Sequence, residues 1–419
     1  MPQLKLSVRH ILVLILVGLI PFHAFLITWL RDVWPAGGFL AAWKEGLMVL
    51  LLLIGGGELI LKRHSIKLDR LDLALSIYIG VALIWGIVQK ETVTQWLFGM
   101  RIDVLPFIVF GVLRHVTWSE QQKEQLYKVI YISSVIILSF GILQALVLPR
   151  DFLVNFGYGT AQDMLTAGEA ITGCQYLEHT AKVCRAIATF GGPTRYGVYL
   201  LVIAGVVLPF LRTKKRHLTI VGGLIALNIF LTYSRSVWVA AAVMVIIGSF
   251  FFASKKMRRV LAGLIIIGVV AVGVTGILVK DLDQHQSLLR SIIVRASSSG
   301  EHMTYLKKGL DVLVAHPMGI GLGTVGPASL RFTPFLTENW FLQIAIEMGM
   351  VGIAAFMWML IEMGMRLYKT MTVENRGLLL ALIGICVTGL FTHSFEESAA
   401  TVTLLTVGSA LLRGDGLKS

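Results

Sequence analysis

The sequence predicts an all-α polytopic membrane protein of about twelve transmembrane helices, and three observations carry that reading. First, 56 % of its 419 residues are hydrophobic and only 15 % are charged, against about 45–50 % and about 25 % in soluble domains. The mean hydropathy of +0.78 excludes a water-soluble globule. Second, apolar runs recur along the whole chain. A hydrocarbon core about 30 Å thick takes about 20 residues per helix, so twelve spans use roughly 240 residues and leave about 180 for loops. Third, the net charge of +13 collects in alternate connections, as orientation by cytoplasmic basic residues requires.

Taken in order, the runs are 11–30, 40–61, 71–88, 96–113, 126–148, 196–211, 218–233, 237–253, 260–279, 340–365, 377–391 and 399–412. With the N-terminus inside, the inner segments hold Lys5, Arg9, Lys62, Arg63, Lys67, Arg70, Arg114, Lys123, Arg212, Lys214 to Arg216, Lys255, Lys256, Arg258, Arg259, Arg366, Lys369, Arg376, Arg413 and Lys418. The short outer connections hold mainly Arg31, Lys90 and Arg235. Both termini are expected in the cytoplasm. Most of the positive charge thus orients the chain in the cytoplasmic membrane and does not point to nucleic acid. The first run, without a small-residue cleavage site, reads as an anchor within one integral membrane domain, 1–419.

Two outer segments, 149–195 and 280–339, are too long for simple connectors, and the chemistry is expected there. In the second, 287–294 and 304–315 have helical apolar spacing. Cys174 and Cys184 share the first segment and are able to pair if it faces an oxidising compartment. Cys386 lies in an apolar run and reads as a small buried thiol. No internal repeat suggests the duplicated halves of a transporter.

Arg185 closes the first outer segment in RAIATFGGPTRYGVYL, where Gly191, Gly192 and Pro193 break the chain before a span. It and Arg195 either snorkel to lipid phosphate or bind substrate. Arg235, in LTYSRSVWVA, is pinned between two spans joined by almost no loop. An ionisable residue in such a place is a functional candidate, and two guanidinium groups near one membrane face suit a diphosphate. Lys44 with Glu45, and Arg101 with Asp103, lie about one turn inside the outer ends of their spans. Each pair either neutralises itself or extends an anion site.

The second outer segment contains HPMGIGLGTVGPAS and leads into TENWFLQIAIEMGMVG. Gly321, Gly323 and Gly326 satisfy G-x-G-x-x-G in form, but a helical pattern precedes them and a strand does not, so a dinucleotide site is rejected. These glycines instead allow close backbone approach. His316 either orients substrate or satisfies a loop. Glu338, beside Asn339 at the mouth of a span, is either a helix-terminus charge or an acceptor for a hydroxyl proton. His393, Glu396 and Glu397 share one outer turn, a weak metal pattern without a partner motif.

Together, RAIATFGGPTRYG, TYSRSVW, HPMGIGLGT and ENWFLQIAIEMGMVG resemble the O-antigen ligase/polymerase superfamily of membrane glycosyltransferases. The resemblance runs from about Arg185 to Gly352. It implies a bundle like that of the C-type glycosyltransferases. Its donor is a glycan on a polyprenyl (undecaprenyl) diphosphate, used on the outer face of the membrane. Its acceptor is a hydroxyl of a glycan, a lipid or a protein. By resemblance Arg185 and Arg235 hold the donor diphosphate, transfer inverts the anomeric carbon, and no metal or other cofactor is required. Members carry His-Asn where this chain has Glu338 and Asn339, so by resemblance Glu338 is the catalytic base, although it does not reproduce a cationic imidazolium that stabilises the leaving group. Lys44, Arg101, Arg195, His316 and Asn339 are the expected further substrate contacts. The competing class is a transporter or flippase of a lipid-linked glycan, which would use the same arginines but leave covalent bonds unchanged.

Overall fold

The computed structural model describes residues 7–34, 41–61, 67–89, 92–160, 171–177, 180–252, 254–256, 259, 263, 296–326, 329 and 335–413. Eleven of the twelve apolar runs coincide with helices, and the ninth, 260–279, lies outside the described residues apart from Gly263. Among the described residues, seven helical segments are long and apolar enough to cross a membrane: Val8–Arg31, Arg70–Val88, Val93–Leu113, Glu120–Leu146, Pro193–Phe210, Arg235–Phe252 and Trp340–Thr370. The other helices fall short for visible reasons. Trp43–Leu61 carries Lys44, Glu45 and Glu58, Lys215–Leu231 and Val373–Gly389 have 17 residues each, and Ser398–Leu411 has 14.

In chain order the helices that matter for the site are α1 (Pro193–Phe210), α2 (Lys215–Leu231), α3 (Arg235–Phe252), α4 (Ala296–Ala315), α5 (Trp340–Thr370), α6 (Val373–Gly389) and α7 (Ser398–Leu411). Helix α1 lies in the centre of the bundle against α6. At their crossing a Cβ on Gly205 would fall 2.4 Å from the Gly377 carbonyl oxygen, so only glycine allows the two backbones to meet. An aromatic core of Tyr78, Phe107, Trp340, Phe356 and Phe395 packs beneath the start of α5. Trp340 is fully buried there and anchors the helix mouth.

Two helices are interrupted. The fourth run has a π turn over Met100–Val104, which holds Arg101 and Asp103. Helix α5 kinks at Gly349, whose φ is +68°. The glycine-rich turn fills that break: Ile320 N donates to Ile346 O at 2.8 Å, Gly321 N to Glu347 O at 3.0 Å and Met350 N to Pro317 O at 3.0 Å. A Cβ on Gly349 would sit 2.6 Å from the Met318 carbonyl carbon. The G-x-G-x-x-G segment therefore serves close backbone approach, with Gly321, Gly323 and Gly326 all at positive φ.

The first long segment contains an antiparallel hairpin, β1 (Gln175–Leu177) with β2 (Thr180–Arg185), in which Tyr176 pairs with Cys184. A Cys174–Cys184 disulfide closes its base. In the second, the helix expected over 304–315 extends to Ala296–Ala315, and the one expected at 287–294 lies outside the described residues.

Charged residues separate into two ends. At one, Arg9 pairs with Glu58 at 3.3 Å, Arg114 with Asp69 at 2.6 Å and Arg366 with Asp69 at 3.0 Å. These join segments that the charge pattern groups on the inner side. At the other end, Arg101 pairs with Glu45 at 3.3 Å, and Lys44 donates to Ser398 Oγ.

Candidate active site

A cavity of about 520 Å³ is lined by Arg185, Thr194, Ser234, Arg235, Ser236, His302, Thr337, Glu338, Asn339 and Thr392, with an apolar wall of Val239, Met303, Leu306, Leu390 and Phe391. Four of the eight sequence-predicted site residues, Arg185, Arg235, Glu338 and Asn339, thus meet in one place although 153 positions separate the first from Glu338.

Local structure explains how each arrives. Arg185 ends β2, where Ala186 N donates to Leu231 O at 2.8 Å and Arg185 Nε donates to Thr232 O at 2.9 Å. The strand is thereby stitched to the end of α2. Arg235 is the first residue of α3, so its guanidinium stands beside the positive end of a helix dipole. Behind it, Thr194 Oγ1 lies 3.2 Å from Ser234 Oγ, and Trp238 Nε1 donates to Ile229 O at 2.9 Å. Asn339 caps α5 by accepting from Leu342 N at 2.9 Å and donates from Nδ2 to Leu390 O at 3.0 Å, which ties the cavity floor to the end of α6.

Among the described residues, four non-glycine residues have positive φ, and three of them lie in the segments that build this cavity: Ala188 at +48°, Tyr233 at +47° and Glu338 at +50°. Such conformations cost of order 1–3 kcal/mol each and persist where the surroundings impose them. Here they turn the chain just after Arg185, just before Arg235 and at Glu338 itself.

Sequence reasoning missed His302. It comes from α4 and its Nδ1 pairs with Glu338 Oε2 at the cavity surface. Neither motif nor spacing marked it, because it lies in a helix far from the spans in sequence. Thr194, Ser234, Ser236 and Thr392 were likewise unmarked.

The other four predicted residues stand elsewhere. Lys44 and Arg101 meet across helices at Glu45, 3.9 Å and 3.3 Å away, so Arg101 pairs with Glu45 and not with its neighbour Asp103. Asp103 is fully buried. Arg195 follows Thr194 but does not line the cavity. It lies instead in the field of His393, Glu396 and Glu397. His316 is exposed at the end of α4, away from the cavity.

Next to the cavity, the turn after α6 forms a buried polar chain. His393 Nδ1 donates to Gln343 Oε1, and Gln343 Nε2 donates to Glu396 Oε1 at 2.8 Å. Burial pushes the His393 imidazole down to about 3, with Arg195 adding in the same direction. Burial pushes the Glu396 carboxyl up to about 7, opposed by the Gln343 hydrogen bond and by Arg195. Glu397 is raised by burial, opposed by Arg195 and Lys44.

Residues 220–357 match the family model described as O-Antigen ligase. That stretch, about a third of the chain, carries the O-antigen ligase signature, and the superfamily resemblance read from the sequence stands. It contains TYSRSVW, the glycine-rich turn and ENWFLQIAIEMGMVG, and it stops short of Arg185, which the tertiary structure brings alongside. No curated protein matches the chain. The chain therefore combines helices long and apolar enough to cross a membrane with a stretch similar to the O-antigen ligase family.

Proposed function

We propose that the protein transfers a glycan from a polyprenyl diphosphate carrier to a hydroxyl acceptor at the outer face of the cytoplasmic membrane, with both termini in the cytoplasm. The observation that carries the reading is the convergence of Arg185 and Arg235 on one cavity with the Glu338 corner opposite. The acceptor oxygen attacks the anomeric carbon, the bond from that carbon to the diphosphate oxygen breaks, and its electron pair leaves with polyprenyl diphosphate. Negative charge grows on the leaving group. Guanidinium groups fixed in advance stabilise that transition state more than the bound substrate. In this reading they do the work of a divalent cation.

The hydroxyl proton passes to the Glu338 corner, and the apolar wall of Val239, Leu390 and Phe391 suits the first isoprene units of the carrier. The Cys174–Cys184 bond agrees with an oxidising compartment on the cavity side. Lys44, Arg101 and Arg195 lie outside this cavity and have a secondary part, in the field around its rim.

The test is incubation of the purified protein with a polyprenyl-diphosphate-linked glycan and candidate acceptors, following free polyprenyl diphosphate and acceptor mass. Release with a ladder of products identifies a polymerase, and one discrete addition identifies a ligase or a protein glycosyltransferase. Movement of the intact lipid-linked glycan across a vesicle membrane without release would replace the reading with transport.

A further inference from the structure

We infer that His302 is the catalytic proton acceptor, and that Glu338 is the positioning residue that holds its ring. The inference rests on the glycosyl-transfer reading above and deepens it. Both side chains line the cavity with Arg185 and Arg235, and they come from different elements: His302 from α4, Glu338 from the segment before α5.

The geometry assigns the ring nitrogens. A carboxylate accepts hydrogen bonds, so the contact between Glu338 Oε2 and His302 Nδ1 places the ring proton on Nδ1. The neutral ring then carries its lone pair on Nε2, the nitrogen left to meet a ligand. Both side chains remain reachable, His302 at 44 % and Glu338 at 33 % exposure. Glu338 is held at φ +50°, a conformation unfavourable for glutamate. The close packing that maintains this approach is at Gly309, where a Cβ would fall 2.6 Å from Leu342 Cδ2. A carboxylate behind an imidazole fixes the tautomer and stabilises the cation that forms.

In the step, the acceptor O–H gives its proton to His302 Nε2 as its oxygen bonds to the anomeric carbon. The electron pair of the breaking bond leaves with polyprenyl diphosphate. The imidazolium, paired with Glu338, then returns its proton to water. The charged groups that share the cavity with the ring are Glu338, Arg185 and Arg235.

The experiment uses the full chain in lipid nanodiscs with a polyprenyl-diphosphate-linked oligosaccharide and its acceptor, measuring release of polyprenyl diphosphate against pH. For His302→Gln we expect kcat to fall about 10²–10⁴-fold with the donor KM little changed, and the acidic limb of the pH profile to vanish. For His302→Ala, added imidazole should restore part of the rate. Glu338→Gln should fall less and keep the acidic limb, because the ring that takes the proton is still present. A fall larger in Glu338→Gln than in His302→Gln, or an acidic limb that survives in His302→Gln, overturns the inference and makes Glu338 the base. The underlying reading has its own control. If Arg235→Ala also turns over normally, glycosyl transfer at this cavity is wrong, whatever His302 does.

Discussion

Arg114 at one end of the bundle and the Arg185–Arg235 pair at the other show two uses of the same side chain. Arg114 has no accessible surface, pairs with Asp69 at 2.6 Å and with Asp72, and donates from Nε to Leu412 O at 3.0 Å. Its charge is consumed in joining helix ends. Arg185 and Arg235 line an open cavity of about 520 Å³ beside hydroxyl groups. The Arg114 charge is enclosed, whereas Arg185 and Arg235 border open space. A buried, fully paired arginine is weak evidence for function, and an arginine on a cavity is a better indication.

The comparison breaks most clearly at Arg114. Arg114→Ala removes the fully buried partner of Asp69 and Asp72, which keep Arg366 and His115, so the loss is at most about 3–5 kcal/mol. We expect little folded protein in membranes, but normal turnover per folded molecule. Detergent-melting curves with active-protein counting check this, and a stable, inactive variant would erase the distinction between the ends.

Arg235→Ala should do the reverse. Removing one group that stabilises the leaving diphosphate is expected to slow transfer about 10²–10³-fold, with protein level and melting unchanged. Arg185→Ala should behave alike, and near-normal glycan transfer at normal expression in either would refute the diphosphate clamp.

The hairpin that ends in Arg185 gives a smaller effect. Its disulfide closes a loop of ten residues' separation, a restraint of about 2–3 kcal/mol. Cys174→Ser should lower thermal stability at the cavity end and abolish the mobility difference with and without reductant. Unchanged mobility in the wild-type protein, or thiols labelled from the cytoplasm, would contradict the outer placement of this segment.

The smallest effect is in the polar chain behind the cavity. His393 titrates at about 3 in the fold and near 6.5 in an unfolded chain, so stability rises with pH between those values. Glu396 titrates at about 7 in the fold against 4.5 ordinarily, so stability falls as pH rises between those values. From about pH 4.5 to 6.5 the two slopes oppose each other, each at most about 1.4 kcal/mol per pH unit. Acidification should stabilise His393→Asn and destabilise Glu396→Gln. Identical responses in both variants and the wild-type protein would show that burial does not shift this histidine and this carboxyl in opposite directions.

Much of the fold was legible because the bilayer imposes one simple requirement, a helix-length apolar run, and eleven such runs coincide with helices. The π turn at Met100–Val104 and the break at Gly349 were not, because each depends on a neighbour that compensates the lost helical bonds. At the site, Arg185, Arg235, Glu338 and Asn339 were legible from motif. Arg101 was expected to have Asp103 as its alternative partner, since they are close in sequence, yet the π turn sends it to Glu45. His316 was selected for its motif and lies exposed away from the cavity.

By itself the sequence determined the class of the protein, the segregation of its charges and the two arginines suited to diphosphate, because hydropathy, charge and residue chemistry are local properties. Tertiary structure decided which of these groups share a cavity, and it brought His302 to Glu338. The physical reason is that a side chain's chemistry depends on its neighbours, and the 36 positions between those two residues are closed only by the packing of α4 on α5.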